Sequence, residues 1–169
     1  MHDILPDRQP APAGPYAPRM FHRLAERKVR AVFQALSNGD YETALAGLAE
    51  DVHHRFAGDH PLGGERHDVA AVRLWFERLF RLFPAVTFTV TNAAASGWPW
   101  NMTVTAEWEA QVAPQVGERY VNKGAHVLRV RRGRVACLHA YEDSQAVAEA
   151  CQQMAAQGIT EAAALPIVS

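Results

Sequence analysis

The sequence predicts an α+β domain in which a curved antiparallel sheet packs over helices. Two observations carry that expectation. Apolar residues keep helical spacing over 24–36 and 69–83, then change to a period of two from Ala85 onward. Helical spacing returns after Ser144. With 169 residues the chain has the length of one domain with a real core.

The elements follow in order. Residues 1–20 form a flexible arm, since Pro6, Pro10, Pro12, Pro15 and Pro18 stand among few large apolar side chains. The ordered domain runs over 21–157. Leu24, Ala25, Val29, Val32, Phe33 and Leu36 give a helix from near Phe21, stopped by Asn38-Gly39. Asp40 caps a shorter helix reaching through Leu45 and Leu48 to Ala49. Val52 to Phe56 is a strand, followed by the glycine-rich loop AGDHPLGG. Asp68 caps a third helix with the apolar stripe Val69, Val72, Phe76, Leu79, Phe80 and Phe83, ended by Pro84. Strands near 85–96, 100–113, 117–131 and 134–142 make an antiparallel meander. Ser144 starts a last helix through Val147, Cys151 and Met154, and residues 158–169 are a tail. Trp75, Trp98, Trp100 and Trp108 are mostly core.

Composition excludes several classes. At 49% hydrophobic, 21% charged and a formal net charge of −1, the chain has no general attraction for nucleic acid or anionic membrane. Arg129, Arg131, Arg132 and Arg134 sit on a hairpin tip without interleaved aromatics and read as a solvated turn. Cys137 and Cys151 give no disulfide framework, which fits a reducing compartment. There is no apolar run of membrane-spanning length and no signal-peptide pattern, so the expected location is cytoplasmic. No phosphate-cradling glycine loop, nucleophile elbow or CxxC pair appears, so no cofactor is expected. His53, His54, His60 and His67, with Asp59 and Glu65, match no established ligand spacing, and no metal is expected.

The stretch Tyr120–Asp143, YVNKGAHVLRVRRGRVACLHAYED, carries the chemistry. Two alternating runs flank Arg131-Arg132-Gly133-Arg134, a hairpin in which glycine supplies the positive φ. Tyr120, Asn122, Gly124, His126 and Leu128 share one face of the first strand, and Leu138, Ala140 and Glu142 share one face of the second, the two faces being expected to coincide. An amide, an imidazole and a carboxylate among apolar neighbours point to a lined cavity.

Three segments together resemble the SnoaL-like branch of the nuclear transport factor two-like superfamily. They are the helix–Asn-Gly-Asp–short helix–Glu-Asp-Val start, FAGDHPLGG with the long helix ending Phe-Pro, and the ending YxNxGxHxxRxRxGRV…YED. The resemblance implies a cone-shaped half-barrel, its curved sheet packed on three N-terminal helices and its mouth open to a small apolar ligand. It also implies homodimerisation through the outer sheet face. Aligned on Asn38-Gly39-Asp40, the oxyanion tyrosine of ketosteroid isomerases falls on Val32, their base on Phe56 and their protonated aspartate on His126. Two of those positions carry no ionisable group, so steroid isomerisation is disfavoured. The aspartate–arginine–aspartate set of limonene-type epoxide hydrolases is absent, and the acid of SnoaL-type cyclases falls on Ala140.

The alignment implies a pocket lined by His54, Phe56, Met102, Val104, Ala106, Trp108, Tyr120, Asn122, His126, Leu138, Ala140 and Glu142. His126 is the first choice for proton transfer, against a neutral histidine bonded to Asn122, Tyr120 or water. Glu142 is a usable acid or base if buried beside Trp108 and inert if solvated at the mouth. Asp59 and His60 edge the cavity by family analogy, or simply shape a turn. Asp143 faces the other way and caps the following helix. Two functions stay open: cofactor-independent acid–base catalysis on a carbonyl compound, as cyclase, isomerase or dehydratase, or a non-catalytic small-molecule binding module. A working outer sheet face is the third reading.

Overall fold

The computed structural model describes residues 17–169. The expected proline-rich arm lies largely outside the described residues. The first helix, α1, spans Ala17–Ser37 and so begins before the expected start at Phe21. Pro18 is compatible with that start, because a first-turn residue needs no N–H partner. The second helix, α2, is a single turn over Glu42–Leu45. Here the sequence reading is corrected: Leu48 and Ala49 belong not to a helix but to the first strand, β1 (Leu48–Phe56). Asp40 still acts locally, accepting from the Thr43 N–H at 3.1 Å and the Thr43 hydroxyl at 2.6 Å.

A short strand the periodicity did not show, β2 (Gly64–Arg66), ends the glycine-rich loop. Helix α3 (Val69–Leu82) is capped by the Asp68 carboxylate, which accepts from the Ala71 N–H at 2.7 Å. Strands β3 (Ala85–Trp98), β4 (Asn101–Ala113), β5 (Tyr120–Arg131) and β6 (Arg134–Glu142) form the expected meander. Helix α4 (Ser144–Ala156) is capped by Asp143, as expected: the Asp143 side chain accepts from Ala146 N–H at 3.2 Å.

The sheet has the order β2-β1-β6-β5-β4-β3. All neighbours are antiparallel except β1 and β6, which run parallel. Register breaks between Leu48 and His53, between Val90 and Asn92, and between Arg129 and Val130 add local twist. Such bulges bend a sheet into a cone. At the β5–β6 hairpin Arg132 and Gly133 both have positive φ, 50° and 80°, the two-residue turn whose twist matches its strands.

The core lies between the concave face of the sheet and the helices. Val29, Phe33 and Leu36 of α1 and Val72, Trp75 and Phe76 of α3 are buried against Val52, Phe56, Val104, Trp108 and Leu128. Val147, Cys151 and Met154 of α4 complete it.

The tail is not idle. After a short 3-10 helix (Thr160–Ala163), Glu161 pairs with Arg81 at 2.6 Å, and the Leu165 carbonyl accepts from Arg78 at 2.8 Å. The Ser169 N–H donates to the Glu65 carbonyl at 3.3 Å, and its hydroxyl accepts from the His67 N–H at 2.8 Å. The tail thus runs along β2 and closes over Arg66.

No described helix is long and apolar enough to cross a membrane.

Candidate functional site

Side-chain alternation on β5 and β6 sends Tyr120, Asn122, His126, Leu128, Leu138, Ala140 and Glu142 to the concave face, where they line an inner cavity of about 110 Å³. His54, Phe56 and Trp108 line it from neighbouring strands. The opposite wall comes from the helices, chiefly Val29, Phe33, Trp75 and Phe76. A second chamber of about 530 Å³ adjoins it across His54, Leu128 and Leu138 and is almost wholly apolar, with Met102 and Val104 in its wall. Together the two reach the range of small-molecule sites.

Ala106 is fully buried, and neither Asp59 nor His60 lines either chamber. Asp59 is exposed, while His60 is buried edge-on to Phe56.

Glu142 is the sharpest chemical feature. Its Oε1 is buried with no hydrogen-bond partner among the described residues. Burial, with the adjacent Asp143 charge adding to it, pushes the carboxyl up to about 8. A carboxyl in that state carries its proton at neutral pH. Gly124, directly opposite Glu142 in the ladder, makes room for it. A Cβ there would meet Tyr141 O at 2.5 Å, Trp108 Cζ2 at 2.7 Å and Glu142 Cβ at 3.0 Å. Gly124→Ala is therefore expected to displace the indole and the carboxyl and to lower stability by about 1–3 kcal/mol. A thermal melt checks the stability; carboxyl titration checks the site.

His126 pairs with Ala140 in the same ladder, one inward-facing step from Glu142. Its ring lies between Phe33, at 5.1 Å, and Trp108, at 5.6 Å between centroids. No hydrogen bond ties either ring nitrogen to a described residue, and the surface it keeps is cavity surface. Desolvation alone pushes its pKa down to about 4, so the imidazole is neutral. Trp108 Nε1–H is likewise buried without a partner. Burial also raises the Tyr120 phenol, with the Glu142 charge second, keeping its O–H protonated.

Asn122 is already committed. Its Oδ1 accepts from Lys123 N–H at 2.8 Å and Asp143 N–H at 3.2 Å, which pins the start of the α4 turn. Only its amide N–H groups remain for a ligand.

Arg66 is the residue that the sequence reading missed. It is 0% exposed, and none of the ion pairs among the described residues includes it. Its guanidinium donates to the Ile167 carbonyl at 2.7 Å, the Leu62 carbonyl at 3.3 Å and the Gly63 carbonyl. It also donates to His54 Nδ1 at 3.1 Å and lies 5.7 Å from the Trp75 ring centre. Burial lowers its pKa only to about 10, so the charge stays. A guanidinium has no acceptor, so His54 Nδ1 must accept and Nε2 must carry the proton. Burial first, and the Arg66 charge next, hold His54 well below its ordinary value and neutral. His54 lines both chambers, so it is an N–H donor backed by a buried cation. No local periodicity marks Arg66; its partners lie in the loop, on β1 and in the tail.

The family model for the SnoaL-like domain matches residues 29–138, more than half of the chain. The chain belongs to this family. No curated protein matches the sequence. Among solved structures, an NTF2-like protein of unknown function from Burkholderia pseudomallei is 21% identical with a TM-score of 0.65, covering 73% of this chain and 93% of that one. TerC, co-crystallised with polyporic acid, is 17% identical with a TM-score of 0.59, covering 73% and 94%. An LEH-like epoxide hydrolase from M. tuberculosis is 20% identical with a TM-score of 0.58, covering 72% and 80%. At these identities the likeness is one of fold. Val32, Phe56 and His126, the positions expected from the sequence alignment to match the acid–base groups of ketosteroid isomerases, all line the cavity.

Proposed function

We propose that the cavity takes a small, largely apolar carbonyl compound and that Glu142 moves a proton on it without a cofactor. One observation carries this reading: a buried carboxyl with an unpartnered oxygen on the wall of a largely apolar cavity. Burial tunes the carboxyl to about 8, near a working pH, and its ionised fraction takes the proton next to the carbonyl. Neutral His126, Trp108 Nε1–H, the Tyr120 hydroxyl and His54 are the groups available to hold the oxygen as charge develops there. The proton then returns from Glu142 to carbon, so atoms and charge balance. The co-crystallisation of TerC with polyporic acid supports an organic ligand in a cone of this fold.

Deuterium uptake next to the carbonyl of a panel of cyclic and aryl ketones tests the proposal by mass spectrometry. Uptake above buffer is expected, rising with pH and levelling once the Glu142 carboxyl is ionised. Saturable binding without uptake would overturn the catalytic reading and leave a binding module.

A further inference from the structure

A different cluster sits on the convex face of the same strands. Alternation along β1 turns His54 inward and His53 outward. The parallel pairing sets Cys137 opposite His53 and His139 opposite Arg55. The antiparallel pairing on the other side sets Glu65 opposite Arg55. His67 follows β2, and its ring stacks on His53 at 4.7 Å between centroids. Three strands therefore bring imidazoles, a thiol and a carboxylate to one patch.

The geometry is close. The ligand atoms of His53, Cys137 and His139 all lie within 4.8 Å of one another, and so do those of His53, Glu65 and His67. Cys137 Sγ is 3.3 Å from His139 Nε2. His53 Nε2 is 2.8 Å from Glu65 Oε2. The two histidine–thiol ligands flanking His53 are half-buried and so partly shielded from water.

We propose that His53, Cys137 and His139 bind a borderline divalent cation of the zinc class, a set distinct from the cavity. Two imidazoles and one thiolate suit that class, and three protein ligands leave a position for water or a fourth ligand. Glu65, 2.8 Å from His53 Nε2, is the carboxylate that orients His53. The ion would tie the three-residue β2 edge and β1 to β6. Coordination releases the Cys137 thiol proton to solvent, so affinity rises with pH. Burial pushes the Cys137 thiol up, while Arg129 and Arg131 favour its thiolate; those two cations, with Arg55 beside His139, oppose the dication.

Cobalt titration of the full chain, stripped with chelator, is the test. Expected are tetrahedral d–d bands and a thiolate-to-cobalt charge-transfer band that saturate at one ion per chain, with zinc competing. Cys137→Ser should remove the charge-transfer band. His139→Ala should weaken cobalt binding by at least about 100-fold. Cys151→Ser, on α4, should change neither, and circular dichroism checks that each variant is folded. Absence of the bands, or their survival in Cys137→Ser, would overturn the site.

Discussion

Glu142→Gln is expected to lower proton exchange on a bound ketone by about 10²–10⁴-fold while making the fold more stable at neutral pH. The two effects have one cause. The unfolded carboxyl ionises from its ordinary value of 4.5 upward, whereas the folded one holds its proton to about 8. Between those values the unfolded chain has released a proton that the folded chain still carries, so rising pH favours unfolding. The penalty is on the order of 3 kcal/mol at pH 7. Glutamine cannot ionise and escapes it. Melting curves from pH 5 to pH 9 should therefore fall less steeply for Glu142→Gln than for the parent chain. Lower turnover without that gain would mean that the carboxyl is solvated.

The acid side has the opposite sign. His126 holds no proton above about pH 4 in the fold, but does so below 6.5 when unfolded. His54 and His60 are depressed by burial in the same direction. Between about pH 6.5 and pH 4 the unfolded state binds the extra protons, and stability falls as pH falls.

Arg66→Ala should cost about 3–5 kcal/mol. The change strips the carbonyls of Leu62, Gly63 and Ile167 of their shared donor and leaves a void beneath Trp75. It also removes the only partner of His54 Nδ1 among the described residues, so the tautomer at the cavity wall is no longer set. Hydrogen exchange at Ser169 should quicken as the tail detaches from β2. Arg66→Lys should rescue little, because one ammonium cannot reach carbonyls spread along different edges of the planar guanidinium. An unchanged melting temperature would show that the buried charge is incidental.

Much of the fold is legible in local pattern, because helices α1 and α3 and the meander each repeat a simple period. Local pattern could not show β2, which has three residues, or the parallel β1–β6 joint, which is a contact between segments far apart in sequence. The tail escaped for the same reason: its hydrogen bonds go to Glu65, Arg66 and His67, about a hundred residues away. Within the site, the faces of β5 and β6 were readable by alternation from Tyr120 to Glu142. Arg66 was not, since a lone arginine after a glycine loop looks like any surface cation. Cys137 and His139 became neighbours of His53 only through that parallel joint.

The most direct test of the account is a titration of the Glu142 carboxyl by carbon NMR on glutamate-labelled protein, assigned by the signal lost in Glu142→Gln. The account predicts one carboxyl titrating near pH 8, with its midpoint displaced when a ketone fills the cavity. A midpoint in the ordinary range near 4.5 would place the carboxyl in water and contradict proton transfer at this site.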